Sequence, residues 1–422
     1  MKKFIAILMS VLIISTAVTG CGSSTASTSS AGSSASAENT GTQAQSSEAA
    51  KEPVKITIWH ETDKGIANEL QAELDKLAPA IEVKVERKEK MSDALKLVGN
   101  DPKSAPDMYF FAHDKTGVFA QMGILAPVTD FISKDDMADL IPMTVKAATY
   151  KDQIYQLPIY FETQMFMYNK ALMKEAPATT DDLLKYMEAN TKDGMYGFVE
   201  QHSTAYYASS WLHAFGGYII NEKAEPGLNT KETIAAMEYH KQFVKYLPKD
   251  GEYNTVTTLF KEGKAHAIIG GPWLVPDIKA AKIDLGIAPM PTVNSTGKPL
   301  TPYSGVQGVC VLKSAEGKKE AITTILKQLA KADIGIALAK SANCAPANQK
   351  CYDDSAVTAN EMIMAMKKTA ENVVPMPNVP EMDVMWTVTE TMLAAVNKND
   401  ADVQTSSEKA QKDALSQIEA MK

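Results

Sequence analysis

Three titratable residues, His113, Asp114 and Lys115, directly follow the aromatic run at residues 109–111. The aromatic run predicts a buried strand, so the three polar side chains fall at the end of that strand. Titratable groups in this position could form a catalytic cluster, a polar edge that contacts a ligand, or a solvated loop. A similar pair, Asp63 and Lys64, follows another predicted strand.

The segments that must position these residues alternate between strand and helix patterns. Residues 54–60 alternate apolar and polar positions, residues 66–77 have helical periodicity, and residues 81–86 alternate again. A candidate helix at residues 91–98 precedes the aromatic strand. This order predicts a parallel α/β sheet, in which ligands meet the loops beyond the carboxyl ends of the strands. We therefore expect the two charged pairs to face one crevice.

A second α/β region follows a stretch in which the chain crosses over. Residues 153–170 form two extended apolar segments around Glu162 and Thr163, which predicts a crossover and not a helix. The next helix is predicted to begin near Thr180, with Thr180 or Asp181 as its cap. Further strands are predicted at residues 197–199, 265–269 and 285–288, and the chain returns to the first region as a strand after Gly305.

Several aromatic residues occur in turn-like settings rather than at periodic core positions. They are Tyr206, Tyr207, Trp273 and Trp386. Trp273 is the most distinctive, because Gly270, Gly271 and Pro272 predict a tight turn that presents the indole at the start of the next helix. An exposed aromatic ring beside carboxylates suits a sugar, whose apolar C–H face lies on the ring while its hydroxyls pair with charged groups.

Longer motifs resemble one protein family. They are IWHETDKG, SAPDMYFFAHDKTGVFAQMGILAPV, PIYFETQMFMYNKALM, LFKEGKAHAIIGGPW and MPNVPEMDVMW. Their order and approximate spacing resemble those of maltose/maltodextrin-binding proteins, the extracellular solute-binding proteins of bacterial carbohydrate ABC importers. The resemblance extends from about Val54 to Ile418. It implies a two-lobed, periplasmic-binding-protein-like α/β fold, in which each lobe has a mixed, mostly parallel sheet flanked by helices and the ligand lies in the interlobe cleft.

The resemblance also implies a function and a set of site residues. The two lobes would close by a hinge motion on a maltooligosaccharide, an α-1,4-glucan, and deliver it to the permease subunits of an importer. The implied residues are Asp63, Lys64, Lys90, Phe111, Asp114, Lys115 and Glu162 on the N-terminal lobe, and Tyr206, Trp273 and Trp386, flanked by Tyr207, on the C-terminal lobe. His113 is then expected to be structural.

Some positions depart from the better-known relatives. Phe111 stands where they often have tryptophan, Lys115 where they have arginine, Thr204 where they have a carboxylate, and Thr387 where an aromatic residue follows the last tryptophan. Because lysine is a point donor, it does not reproduce a bidentate arginine. These departures affect the preferred chain length and the affinity rather than the fold.

The N-terminal segment has the pattern of a lipoprotein signal peptide. Lys2 and Lys3 precede an apolar run that is too short for a stable membrane span, and the run ends in VTGC at Cys21. We expect residues 1–20 to be removed, Cys21 to be lipidated and residues 21–52, rich in Ser, Ala and Thr, to form a disordered tether. The protein would thus be extracytoplasmic, anchored by lipid to the outer face of the cell membrane.

The expected mature body has two lobes in four pieces of chain. Residues 53–161 and 306–354 form the N-terminal lobe, and residues 162–305 and 355–422 form the C-terminal lobe. A net charge of −8, with Arg87 as the single arginine, argues against nucleic acid as a partner. No cofactor, metal or catalytic residue is predicted, and the protein is expected to be a monomer.

Two alternatives to maltooligosaccharide binding follow from the same residues. A glycosidase would use two of Asp63, Asp114 and Glu162, but adjacent lysines favour ionised carboxylates over the protonated acid that hydrolysis requires. The same fold could instead bind another oligosaccharide. The remaining cysteines are also open to two interpretations: Cys344 and Cys351 could form a disulfide, or Cys310, Cys344 and Cys351 are buried small apolar residues.

Overall fold

The first predicted strand, Val54–His60, has these bounds in the computed structural model, which describes residues 52–421. The strands are β1 (Val54–His60), β2 (Ile81–Arg87), β3 (Met108–Ala112), β4 (Leu125–Ala126), β5 (Thr149–Tyr150), β6 (Gln153–Ile154), β7 (Gln156–Thr163), β8 (Met165–Asn169), β9 (Ala267–Gly270), β10 (Leu285–Ala288), β11 (Thr292–Val293), β12 (Lys298–Pro299), β13 (Tyr303–Leu312), β14 (Ala345–Pro346) and β15 (Val374–Pro375). The helices are α1 (Lys64–Leu74), α2 (Met91–Val98), α3 (Thr116–Gln121), α4 (Pro142–Ala147), α5 (Thr180–Asn190), α6 (Ala205–Phe215), α7 (Lys231–Val244), α8 (Tyr253–Lys261), α9 (Val275–Ala280), α10 (Lys319–Leu329), α11 (Ala332–Ala342), α12 (Ser355–Thr358), α13 (Glu361–Thr369), α14 (Met382–Asn399) and α15 (Val403–Ala420). The predicted signal peptide and Cys21 lie outside the described residues.

The first lobe is built on a sheet with the strand order β14-β7-β13-β3-β1-β2. Strand β1 pairs in parallel with β2 and β3, as the strand–helix–strand pattern predicts. Strand β13 then inserts between β3 and β7 and runs antiparallel to both. Ile56 and Ile58 of β1 belong to the same buried core as Ile322 and Ile325 of α10, so this face of the sheet is covered by helix.

The second lobe contains a smaller sheet with the order β10-β8-β9, in which β8 is antiparallel to both neighbours. The prediction of a mostly parallel sheet is therefore wrong for this lobe. The strand–helix–strand pattern correctly implies that β9 and β10 run in the same direction, but β8 enters from the first lobe and inserts between them in the opposite direction. Residues 197–199, predicted as a strand, contribute an isolated parallel bridge from Val199 to Ile268.

The crossover between the lobes has the extended form that the sequence predicts. Strand β7 belongs to the first sheet and β8 to the second, and Gln164 alone separates them. The next helix, α5, is capped by Thr179, whose hydroxyl accepts a hydrogen bond from the Asp182 amide at 3.2 Å. The predicted caps, Thr180 and Asp181, were one and two residues too late, because Thr179 already has the extended backbone of a cap.

Helices α6, α7, α14 and α15 pack together in the second lobe. Leu212 of α6, Met237 of α7 and Met385 of α14 share one buried cluster with Ala414 of α15. This packing fixes the position of α14 relative to α6, which carry Trp386 and Tyr206 respectively.

The three cysteines of the described residues are free and buried. The thiol of Cys351 donates to the carbonyl of Ala332 at 3.3 Å, so this thiol has a hydrogen-bond partner other than Cys344. The structure therefore agrees with buried apolar residues and not with a Cys344–Cys351 disulfide. Across residues 52–421, no helix has both the length and the apolar character needed to cross a membrane.

Candidate functional site

An inner charged cluster forms where β3 ends. Residues His113–Lys115 make a short 3-10 turn, in which the side chains of Asp114 and Lys115 are 12% and 20% exposed. The ammonium of Lys115 lies 3.6 Å from Asp114 and donates to Asp383 at 2.5 Å. Asp383, in the first turn of α14, also accepts from Lys96 at 3.0 Å. The cluster thus joins Lys96, Asp114 and Lys115 of the first lobe to Asp383 of the second.

The pKa values of this cluster reflect a balance between burial and opposite charge. Burial raises the pKa of Asp114 despite the opposing charge of Lys115. Burial also acts to raise the pKa of Asp383, but Lys115 and Lys96 outweigh it and hold that pKa below its usual value. Asp383 is therefore the carboxylate that the two lysines keep ionised, and Asp114 is the more easily protonated acid.

His113 supports this cluster from behind, as predicted. Its ring is buried; Nδ1 accepts from the Val306 amide at 3.0 Å, and Nε2 donates to the Met376 carbonyl at 2.9 Å. These two bonds require the neutral tautomer that carries its proton on Nε2. Burial lowers the pKa of His113 to about 4. The ring therefore ties the start of the Asp114 turn to β13 and to the loop that leads into α14.

Glu162 lies near the end of β7, half-buried, without a lysine among its hydrogen-bond partners. Its Oε1 accepts from the Gln307 side chain at 3.0 Å, and burial raises the pKa of Glu162. The expectation that lysines favour the ionised form of each acid is therefore wrong at Glu162, because β13 places an amide there, and at Asp114, because burial outweighs Lys115.

The other predicted polar residues lie at an outer, exposed rim. Asp63 caps α1 by accepting from the Gly65 amide at 2.7 Å, and Lys64 is the exposed first residue of that helix. Lys90 has a left-handed backbone, with φ of 50°, and its amide donates to Glu61 at 3.0 Å. Burial raises the pKa of Tyr160 most, and the charges of Glu162 and Asp63 add to the shift. Asp63 and Glu162 are therefore both within electrostatic reach of Tyr160 on β7.

Aromatic rings form a continuous array on the second lobe. The ring centroids of Trp273 and Tyr206 are 6.3 Å apart, those of Tyr206 and Tyr303 are 6.5 Å apart, and those of Tyr303 and Trp386 are 6.1 Å apart. Trp273, Tyr206 and Trp386 are half-buried, whereas Tyr303 is buried and joins them. We refer to Trp273, Tyr206, Tyr303 and Trp386 as the aromatic array. It unites residues that are far apart in the sequence.

Two local features set the edge of this array. A Cβ at Gly271 would lie 2.2 Å from the Trp273 ring, so the indole lies directly against the glycine backbone of the GGPW turn. Tyr207 is 5% exposed and packs edge-on to Tyr206 with centroids 5.6 Å apart. Tyr207 lies on the inner side of α6 among core residues and flanks the ring of Tyr206, and its contact with a sugar stays a prediction.

The helix that carries Tyr206 is anchored by a buried polar group. Glu200 accepts from the Trp211 indole at 3.1 Å and lies 2.6 Å from His240 Nε2. The rings of Trp211 and His240 stack with centroids 4.6 Å apart. These contacts fasten α6 to α7 beneath the aromatic array.

The motif MPNVPEMDVMW positions α14 by its contacts with the first lobe. The Asn378 side chain donates to the carbonyls of Ala147 at 3.0 Å and Thr149 at 2.8 Å. A Cβ at Gly117 would lie 1.8 Å from the Asn378 carbonyl oxygen, so this close approach requires glycine. Asn378 thus clips the loop to the first lobe just before α14 presents Asp383 and Trp386.

The charged cluster and the aromatic array are close enough to interact. Burial raises the pKa of Tyr206 most, and the charges of Glu162 and Asp114 add to that shift. Phe111 is half-buried against the core of the first lobe, and its carbonyl accepts from Gln156 at 2.8 Å. Asp114 and Glu162 are therefore within electrostatic reach of Tyr206, whereas Lys64 and Lys90 are exposed.

The sequence analysis missed Tyr303, Gln307 and Asp383. Asp383 had a signal, since it lies three residues before Trp386 within a recognised motif. Gln307 lies in the strand predicted after Gly305, whereas Tyr303 precedes that strand, and neither residue belongs to one of the motifs that resemble the family. Nowhere in residues 52–421 do three His, Cys, Asp or Glu residues come together as a metal site would require.

Comparison with known proteins identifies similar chains. The model for "Bacterial extracellular solute-binding protein" matches residues 66–365. A maltotriose-binding protein of Pyrococcus abyssi is 31% identical over 79% of this chain and 75% of its own length, and a maltodextrin-binding protein of Bacillus subtilis is 31% identical over 73% and 76%. A galactooligosaccharide-binding protein of B. subtilis is 25% identical over 90% and 93%.

A solved structure has the same fold. It is a crystal structure of a cyclo/maltodextrin-binding protein complexed with maltotetraose, which is 26% identical, covers 89% of this chain and all of the other, and superimposes with a TM-score of 0.79. The resemblance inferred from the sequence motifs is therefore confirmed, as is the two-lobed fold.

Proposed function

The chain belongs to the bacterial extracellular solute-binding proteins, and we propose that it captures maltooligosaccharides between its lobes and delivers them to an ABC importer. The observation that supports this proposal is the aromatic array beside Asp114 and Glu162. Apolar sugar faces would lie on the half-buried rings, while carboxylates and Lys115 would pair with hydroxyls. Closure would follow from the ligand's greater affinity for the closed state.

The proposed sugar contacts divide into an inner and an outer group. The inner group comprises Phe111, Asp114, Lys115, Glu162, Tyr206, Trp273 and Trp386. The outer group comprises Asp63, Lys64 and Lys90, and Tyr207 supports Tyr206 of the inner group. We propose lobe boundaries near residues 161, 305 and 354, so that residues 53–161 and 306–354 form the N-terminal lobe and residues 162–305 and 355–422 form the C-terminal lobe.

We propose that binding is not followed by catalysis. Retaining or inverting hydrolysis requires two carboxyls that flank one glycosidic bond. Asp114 instead has Lys115 at 3.6 Å, and Glu162 is held by Gln307. Prolonged incubation with maltotriose, followed by chromatography of the sugars, should return the substrate unchanged. Release of maltose or glucose would contradict this proposal.

A specific observation supports one alternative, which is another oligosaccharide in the same cleft. The similarity to a galactooligosaccharide-binding protein covers 90% of this chain. Titration calorimetry with malto-, cello-, xylo- and galactooligosaccharides separates the two proposals. We expect maltotriose or a longer maltooligosaccharide to bind most tightly, and preferred binding of a galactooligosaccharide would establish the alternative.

We further propose that the protein is a monomeric lipoprotein anchored through Cys21. Replacement of Cys21 by Ser should release the protein from membranes without a change in sugar affinity, because the acylated residue is separated from the sugar site by the tether. Fractionation of cells that express parent and variant measures this. Equal recovery of both proteins in the membrane fraction would contradict the anchor.

A further inference from the structure

Asp383 joins the two lobes at the edge of the cleft. It lies in the first turn of α14, a helix that packs with α6 and α15 of the second lobe. Both lysines that it contacts belong to the first lobe: Lys115, at 2.5 Å, follows β3, and Lys96, at 3.0 Å, lies in α2. The contact pairs one carboxylate with two ammonium groups and therefore stabilises the arrangement in which the lobes approach each other.

This ion pair differs from a typical surface pair in two ways. The side chains of Lys115 and Asp383 are 20% and 22% exposed, so solvent screens the attraction less than at an open surface. Asp383 accepts from two cations at once, and its pKa is held below its usual value in spite of burial. The Asp383 carboxylate is therefore charged at neutral pH.

The ion pair also leaves Lys115 able to contact a ligand. An ammonium has three N–H donors, and Asp383 takes one at 2.5 Å while Asp114 lies at 3.6 Å. Trp386 follows Asp383 on the same helix, one turn away. Movement of Asp383 towards Lys115 would therefore bring Trp386 towards Asp114 and Lys115 as well.

We propose that Asp383 is an interlobe latch, a positioning residue that stabilises the closed state through Lys96 and Lys115. The inference rests on the proposed function, since it describes how that cleft closes. In this role, Asp383 does not contact the sugar. It reduces the free-energy difference between open and closed states, so that the sugar needs less of its own binding energy to close the lobes.

The test compares the full-length protein with Asp383→Asn, which keeps the shape and removes the charge. We expect Asp383→Asn to weaken maltotriose binding about ten-fold by calorimetry. Asp383→Glu, which restores the charge, should recover most of the affinity. Lys96→Met should also weaken maltotriose binding, and it leaves Lys115 in place. The double variant Lys96→Met, Asp383→Asn should lose less binding free energy than the sum of the two single losses. Asp277→Asn is the matched control, because Asp277 pairs with Lys261 at 2.8 Å within the second lobe.

A second measurement follows the lobes without any sugar. Hydrogen–deuterium exchange of the unliganded Asp383→Asn variant should be faster than in the parent at residues 108–117 and 374–386. High salt should raise the exchange rate of the parent at these residues towards that of the variant, because salt screens the ion pair. If Asp383→Asn weakens binding but leaves the unliganded exchange unchanged, Asp383 is a direct sugar contact and the latch is wrong.

Two further outcomes also test the latch and the proposed function. Unchanged or tighter sugar binding by Asp383→Asn would overturn the latch, because a competing or inert carboxylate would give that result. If the parent binds no oligosaccharide, the proposed function fails, and the exchange measurement alone then decides whether the lobes are latched.

Discussion

The aromatic array and the charged residues of the first lobe are assembled in opposite ways. The array collects Trp273, Tyr206, Tyr303 and Trp386 from distant parts of the chain into one row of neighbouring rings. The charged residues come in sequence pairs of similar appearance, yet Asp114–Lys115 is half-buried and Asp63–Lys64 is exposed. The difference shows that sequence spacing identifies strand ends, whereas the packing of other elements decides which strand end becomes an enclosed site.

Removal of the array's most distinctive member should have the largest effect on binding. We expect Trp273→Ala to weaken maltotriose binding by roughly 2 to 4 kcal/mol, because a central aromatic anchor loses its contact area with the sugar. Calorimetry measures the affinity, and thermal melts of the unliganded proteins measure folding. Tyr246→Ala, which removes a half-buried ring just after the end of α7, is the control and should leave the affinity unchanged.

The interpretation of the aromatic array depends on both the affinity and the melting temperature of Trp273→Ala. Unchanged affinity of Trp273→Ala, with an unchanged melting temperature, would mean that the sugar binds elsewhere. Loss of affinity that merely accompanies unfolding would mean that Trp273 acts as a core residue.

The charged side of the comparison can be tested through its buried support, His113. Because the pKa of His113 is about 4 in the folded protein and near its usual 6.5 when unfolded, the unfolded chain takes up the proton first as the pH falls. Its contribution to the free energy of unfolding is complete above pH 6.5 and is lost progressively down to about pH 4. We expect His113→Gln to remove roughly 3 kcal/mol of the parent's loss of stability across this range.

Denaturant unfolding at a series of pH values measures that slope. His213 has a pKa of about 4 as well, so the variant should keep part of the parent's pH dependence. His266→Gln, at a half-buried ring, should change the slope less. An unaltered slope in His113→Gln would show that His113 does not titrate as a buried neutral ring.

The direct test of inner against outer pairs has the smallest expected effects. Asp114→Ala should weaken maltotriose binding by about 1 to 3 kcal/mol, because a sugar hydroxyl enclosed by the lobes would lose its acceptor. Lys64→Ala should cost about 0 to 1 kcal/mol, since solvent screens an exposed charge. Calorimetry of both variants under one set of conditions compares them. A larger loss for Lys64→Ala would reverse the distinction between inner and outer groups.

Local pattern predicted much of the first lobe. Strand β1 has the predicted bounds, helix α2 coincides with the predicted residues 91–98, and the extended crossover around Glu162 is confirmed. These elements have strong periodicity, which depends on their own residues. The antiparallel insertions of β8 and β13 could not be derived in this way, because strand direction depends on partners that are distant in the sequence.

The site was predictable as residue types more than as contacts. Asp114 and Lys115 were identified from their position after a strand, but the role of Asp383 depends on Asn378, which clips the preceding loop beneath Gly117. Tyr207 illustrates the converse, since neighbouring residues on a helix point in different directions and only Tyr206 of the two belongs to the aromatic array. A motif thus identifies the segment, and the tertiary contacts select the residue.

The distribution of the four tryptophans has a spectroscopic consequence. Trp59 and Trp211 are buried, and Trp211 stacks on His240, whereas Trp273 and Trp386 are half-exposed beside the cleft. Emission from the buried pair should therefore be insensitive to aqueous quenchers, while iodide or acrylamide should reach the cleft pair until a ligand covers it. With the proposed sugar site, the protein would accordingly contain an internal fluorescence reference together with its own reporter of occupancy, without any attached dye.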